Sequence, residues 1–305
     1  MHLGRVTIER TALRSHPWPT STFLGWKEQD EVVQVLREVV GEGAEPQNHV
    51  WMETPQGYLY FPDIQPILYQ PSTPLTALPA GAFWAQMTVP YEDSYSQPSP
   101  DSHPGFRLYY ASIYQIDGMG PDDQGQIWYH IKDLNAYIPG QGLTPLQPED
   151  LAPISPQVEN KKIVVNLERQ DLSAYEDQVE VFHAVIASGG QYTPPGSREL
   201  VWATTPGRYR VQWKRVGVRM AAGNLANGYD LPGVGWATFF ISSNGVAIHS
   251  TYWHNDYGVP KSHGCVNARP QDAQWIFRWT QPSVSLPGGD VIPPLPGGTE
   301  VDIQD

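Results

Sequence analysis

The 305-residue sequence contains one cysteine, Cys265. No intramolecular disulfide can form, so the fold rests on packing alone. No run of about 18 apolar residues occurs, which excludes a membrane-spanning helix. The start, MHLGRVTIERTALRSHPW, lacks the basic end and apolar stretch of a secretory signal. Basic side chains are few: 19 against 32 acidic ones, for a formal charge of −13. That balance disfavours nucleic acid, whose phosphates it would repel. It names no partner, because most acidic side chains simply form a solvated surface.

Glycine, proline and aromatics are plentiful instead, with 28 Gly, 30 Pro, 16 Tyr and 11 Trp. This composition points to β-structure with many turns and few long helices. The length fits two or three domains. Residues 1–71 alternate short β-like runs with turns. Val32, Val33, Val35, Leu36, Val39 and Val40 have near-helical spacing, but their branching and the flanking Gly41 and Gly43 favour a strand pair. Residues 72–156 repeat the scheme. Val50-Trp51-Met52 followed by Tyr58-Leu59 aligns with Ile127-Trp128-Tyr129 followed by Tyr137-Ile138, a sign of internal duplication. Trp51 and Trp128 are expected to fill module cores; exposed, they would bind a ligand.

The polar stretch Tyr91–Pro104 reads as an exposed loop, and Pro139 to Pro156 as a linker. Residues 157–305 form the third expected unit. Strands are expected at Ile163–Leu167, at Val179–Ala187 with His183 in a structural place, and at Trp236–Ser242. Residues 220–235 hold too many breakers for a regular element and read as a flap or a surface loop. An Asn244-Gly245 turn then leads into Val246–Ile248 and delivers His249 at a strand end. PQDAQWIFRW is the best helix, with Pro270 at its first position and Asp272 in its first turn. Gly298–Ile303 reads as a closing strand.

Chemistry concentrates between His249 and Asn267, HSTYWHNDYGVPKSHGCVN. The cysteine and three of the nine histidines, His249, His254 and His263, lie here. A thiol is a strong nucleophile only as thiolate, and imidazole is the usual means of deprotonating it. Gly264 lets backbone N–H groups approach a ligand closely enough to stabilise an oxyanion. A lone cysteine is ordinarily a small buried hydrophobe. The clustering of histidines in a Gly/Pro-rich loop argues for chemistry.

This stretch resembles the L,D-transpeptidases of bacterial cell-wall synthesis. Their signature is a histidine, a gap, then Ser/Thr-His-Gly-Cys, a hydrophobic residue, and Asn or Arg. Here it reads His249, a gap, then Ser262-His263-Gly264-Cys265-Val266-Asn267. The resemblance covers roughly residues 160 to 305. It implies a mainly β protein: a β-sandwich catalytic domain with one or two short helices, over 157–305. The two units before it, 1–71 and 72–156, look similar to the small Src-homology-type barrels of bacterial cell-wall enzymes.

The residues alone leave the base open among three imidazoles. The resemblance places proton transfer on His249, with Cys265 as nucleophile, and gives His263, Ser250, Ser262 and Asn267 supporting roles. The carbonyl or hydroxyl of Ser250 would orient the His249 ring, and the N–H groups of Gly264 and Cys265 would hold the oxyanion. Tyr252, His254 and Arg269 are candidates for substrate binding. Ser250 stands where many members have glycine and Asn267 where others have arginine, which bears on substrate preference. The implied reaction is attack of Cys265 on the third-residue carbonyl of a peptidoglycan stem peptide, release of D-alanine, and transfer of the thioester to an amine of another stem. Water as acceptor would make an L,D-carboxypeptidase. Neither metal nor organic cofactor is needed, and acylation by carbapenems is expected. The implied location is the cell envelope, with the export signal outside this chain. Two rivals remain: a wall-binding protein without catalysis, and a zinc protein, whose ligands here lack the usual paired spacing.

Overall fold

The computed structural model describes residues 1–305 except 46, 80, 193–199, 224–227, 242 and 244; at 44, 191, 192, 200 and 201 only the backbone is described. The molecule is mainly β, and Pro270–Trp279 is the only α-helix among the described residues.

The duplication seen in the sequence is repeated in strand order. In the second module one sheet of seven strands runs Pro104–Tyr109, Tyr91–Tyr95, Ala136–Pro139, Ile127–Ile131, Ile113–Pro121, Phe83–Met87 and Leu143–Pro145. The first module has the same leading five in the same order: Phe23–Glu28, Arg10–Arg14, Gly57–Tyr60, Asn48–Thr54 and Arg37–Glu45. Its sheet then breaks. His2–Val6 pairs with Val32–Gln34 on one side and Ile64–Leu68 on the other, forming a separate sheet of three. A single 3₁₀ turn, Phe61–Asp63 or Gly140–Gly142, precedes the last strand of each module. Trp51 and Trp128 are each 2% exposed and donate Nε1–H to Glu42 O and Asp122 Oδ2. They are core residues, as expected for large aromatics with a satisfied polar edge.

Residues 161–304 build a sandwich of two five-stranded sheets. One runs Val179–Val185, Asp171–Glu176, Lys161–Asn166, Glu300–Gln304 and Gly207–Arg210; the other runs Val266–Ala268, Val246–Ser250, Tyr229–Ile241, Trp213–Ala222 and Asp290–Val291. Ile163, Val165, Val301 and Ile303 of the first sheet pack with Trp236, Phe240, Ile248 and Val266 of the second, and the helix adds Ile276 and Phe277. The helix end is closed by cations. Lys214 Nζ donates to the carbonyls of Phe277, Thr280 and Pro282 at 2.6, 2.7 and 2.7 Å, and Lys161 Nζ donates to Trp279 O at 2.9 Å. These bonds satisfy orphan carbonyls at the negative pole of the helix. Burial, with the charge of Lys161 nearby, pushes Lys214 down to about 7.

Three expectations require correction. The stretch read as a linker is ordered, and Leu143–Pro145 pairs with Phe83–Met87 inside the second module's sheet. The stretch read as a loop begins with strand Tyr91–Tyr95 and ends at strand Pro104–Tyr109, which pair with one another. The stretch read as a flap is a hairpin: Met220–Ala222 pairs with Tyr229–Leu231, and only the tip at 224–227 lies outside the described residues. Cross-strand pairing outweighs the local preference of Gly and Asn against strands. His183, expected in a structural place, is half exposed and lies 3.2 Å from the Ser173 hydroxyl and 3.4 Å from Glu180. Asn244 of the expected turn also lies outside the described residues.

Candidate active site

Strand alternation sorts the key residues. Strand Val246–Ser250 lies parallel to Val266–Ala268, with Ile248 opposite Val266 and His249 opposite Asn267. Val246, Ile248, Val266 and Ala268 face the sandwich core. Ala247, His249 and Asn267 therefore share the opposite face, since successive side chains alternate along a strand. Cys265 lies in the bend directly before Val266, within hydrogen-bond reach of the Ala247 backbone.

His249 is 2% exposed. Its Nδ1–H donates to the carbonyl of Ser250 at 2.9 Å, which leaves Nε2 as the basic nitrogen. Ser250 thus orients the ring through its carbonyl, while its hydroxyl is spent on Gly235 N and O. Asn267 Nδ2–H donates to His249 Nε2 at 3.2 Å, and Asn267 Oδ1 accepts from His254 Nε2–H at 3.1 Å. Asp256 N–H closes the chain on His254 Nδ1 at 3.2 Å. One amide therefore bridges two buried histidines. Burial pushes both imidazoles down to about 4.

Cys265 keeps part of its surface open to solvent, yet dense protein around the sulfur pushes the thiol up to about 11. The open area decides whether a small electrophile can arrive; the dense shell decides the protonation state. Its S–H points to Gly245 O at 3.7 Å. Among the described residues no hydrogen bond joins Sγ to the His249 ring. At rest the pair is a neutral thiol beside a neutral imidazole. Burial thus disfavours both the thiolate and the imidazolium in the resting site.

The loop around Cys265 is held by its own polar groups. Ser262 Oγ donates to Cys265 O and accepts from Gly264 N at 3.1 Å. Gly264 N–H is thus engaged within the loop instead of facing an oxyanion. Thr204 Oγ1 donates to Gly264 O at 2.9 Å and accepts from Gly189 N at 2.8 Å, a link the sequence did not single out. Gly264 has φ +119°, a conformation side chains rarely adopt. His263 is exposed and lies between Trp202 and Tyr229, with centroids 4.0 and 5.1 Å away. Tyr229 is close enough to Cys265 for a thiolate there to raise its phenol further, after burial.

The three candidate substrate-binding residues lie elsewhere. Tyr252 is buried, and its hydroxyl donates to Pro232 O at 2.8 Å. His254 and Arg269 line a cavity of about 700 Å³ that contains neither Cys265 nor His249. No cluster of three or more potential metal ligands occurs among the described residues.

Residues 160–303 match the family model of the L,D-transpeptidase catalytic domain (YkuD). The matched segment is a little under half of the chain. A crystal structure of an Enterococcus faecium L,D-transpeptidase mutant is 24% identical over 48% of this chain and 51% of that one, with TM-score 0.35. The catalytic domain of the E. faecium enzyme, acylated by ertapenem, is 24% identical over 48% of this chain and 97% of its own, with TM-score 0.32. An L,D-transpeptidase from Mycobacterium smegmatis is 15% identical over 90% of this chain and 99% of its own, with TM-score 0.37. This chain spans about half the length of the first of these enzymes. The search of curated proteins gives no match. The matched segment contains the whole signature block together with His249.

Proposed function

We propose that the protein is a peptidoglycan L,D-transpeptidase with Cys265 as nucleophile and His249 as the proton carrier. The single observation that supports this reading is that His249 pairs with Asn267, two residues after Cys265, across adjacent parallel strands. The family match over 160–303 supports it. Because both groups rest neutral, the thiolate forms as the donor peptide binds and not before. His249 Nε2 exchanges its bond to Asn267 for the thiol proton, and the Ser250 carbonyl holds the imidazolium through Nδ1–H. Sulfur attacks the carbonyl carbon of the third stem residue, and the carbonyl electrons collect on oxygen. With Gly264 N–H engaged by Ser262, the oxyanion role falls to the Cys265 N–H of the two donors expected from the signature. Collapse breaks the C–N bond, and His249 returns the proton to departing D-alanine. An acceptor amine then attacks the thioester, His249 takes its proton, and the thiol is restored. The site faces the cell envelope, where such peptides occur.

Intact-protein mass spectrometry after incubation with a carbapenem tests this assignment. One covalent adduct is expected on the wild type, none on Cys265→Ala, and a much slower one on His249→Ala. Wild-type protein left unmodified where a known transpeptidase reacts would overturn it. Mixing the thioester adduct of a stem tetrapeptide with an acceptor amine, then separating cross-linked from hydrolysed product, distinguishes transfer from L,D-carboxypeptidase action.

A further inference from the structure

The cavity of about 700 Å³ is lined by the first module, the second module and the C-terminal domain; His254 lines it and Cys265 does not. Its volume falls within the range of small-molecule sites. Leu36 and Phe61 come from the first module, Gln86 from the second, and His254, Arg269 and Gln271 from the C-terminal domain. Arg269 is its unusual member. Among the described residues the guanidinium makes no hydrogen bond and no ion pair, and its Nε is buried without a partner. Such groups are rare in folded proteins and call for an explanation. The guanidinium lies 5.7 Å from the Phe61 ring centre and 5.6 Å from that of Tyr257, so one ring from each domain holds it. Asp272 is near enough to be influenced by Arg269, but burial raises its carboxyl above the usual range and it forms no ion pair with it. The other arginine of the lining, Arg37, is already bound to Glu53 at 2.6 Å. Arg269 also directly precedes the ten-residue helix, whose first-turn N–H groups add positive potential at the cavity wall.

We propose that this cavity is a binding site for a short peptide bearing a free carboxylate, anchored by Arg269. A planar guanidinium fixed between two rings matches a carboxylate with two parallel hydrogen bonds. The amides of Gln86 and Gln271 offer partners for peptide groups, and Leu36 and Phe61 supply apolar contact. The bound peptide would touch His254, which is joined to His249 through Asn267.

Titration calorimetry on the full chain tests the site, with acetyl-Ala-Glu as probe and acetyl-Ala-Gln-amide as its uncharged counterpart. One-site binding of the acidic peptide is expected, at least tenfold tighter than the neutral one. Arg269→Gln should weaken it at least tenfold, and Arg269→Lys by less, since one charge remains without the fork. Leu36→Trp fills the cavity from the opposite wall at a position 54% exposed, so it should abolish binding without disturbing the fold. Cys265→Ala should bind as the wild type does, which separates this result from the transpeptidase assignment. Equal affinity for the neutral peptide, binding that survives both Arg269→Gln and Leu36→Trp, or no binding at millimolar probe would overturn the proposal.

Discussion

The two N-terminal modules share a strand order but meet the C-terminal sandwich in opposite ways. The second module is pressed onto it, backbone against backbone. A Cβ at Gly217 would stand 2.4 Å from Ile113 O; one at Gly233 would stand 2.4 Å from the Tyr114 ring, and one at Gly235 would stand 2.9 Å from Ile113 Cδ1. Trp84 and Ile113 belong to the same apolar core as the sandwich. The first module instead touches the loop after His249 through polar groups. Arg5 donates to Tyr252 O, and Asn255 Nδ2–H donates to Phe61 O at 3.0 Å. The 700 Å³ cavity opens beside those contacts. Apolar burial without voids fixes a module in place. Sparse polar contacts around a cavity leave room for a ligand and for control of the loop.

The sharpest way to break the contrast is to fill the glycine seam. Gly217→Val should cost about 3–5 kcal/mol, because a carbonyl of the neighbouring strand cannot yield as a flexible side chain can. Gly120→Ala, in the same strand as Ile113 and with nothing within 4 Å of the new methyl, should stay within about 0.5 kcal/mol. Urea unfolding measures both. Equal effects would mean that the seam is not tight.

On the first module the matching test is Arg5→Met. Arg5 is 2% exposed, binds Asp30 at 2.8 Å and Gln65 at 2.9 Å, and covers the Tyr109 ring at 4.1 Å. Asp30 keeps a second partner in Arg107 at 3.1 Å. The loss should therefore be smaller, about 2–3 kcal/mol, below the usual cost of orphaning a buried charge. Its distinctive effect is functional. With Tyr252 O released, acylation of Cys265 by a carbapenem should slow severalfold, whereas Gly120→Ala leaves it unchanged. Unaltered acylation in Arg5→Met would show that the first module does not hold the loop.

These contacts mark what a sequence conceals. Local chemistry was legible: the helix from Pro270, the strand ending at His249, the signature block ending at Asn267, and the burial of Trp51 and Trp128. Each depends on residues close in sequence or on a regular period. The docking glycines Gly217, Gly233 and Gly235 looked like breakers of a flap or its surroundings, because their reason lies in Ile113 and Tyr114, about a hundred residues away. The bridge from His254 through Asn267 to His249 was hidden for the same cause. Two of its members look like loop residues until the parallel pairing of 248 with 266 brings them together.

The finest comparison is between the two histidines of that bridge. Both sit near 4 because burial disfavours the cation. In the unfolded chain each titrates near 6.5. Below that value the unfolded state takes up two protons that the folded state refuses until about pH 4, so stability is present above pH 6.5 and drains away as pH falls through that window. At pH 5 each histidine should have cost about 2 kcal/mol relative to pH 7.5. His249 is shielded by its own domain, but His254 lines the cavity beside the first module. Asn255→Ala, which frees that module from the loop, should therefore let His254 rise toward 6.5 and leave His249 low. Histidine NMR titration would show one resonance moving and the other fixed. Two resonances moving together would mean that the first module shields His249 as well, and that its polar contacts bind as firmly as the glycine seam.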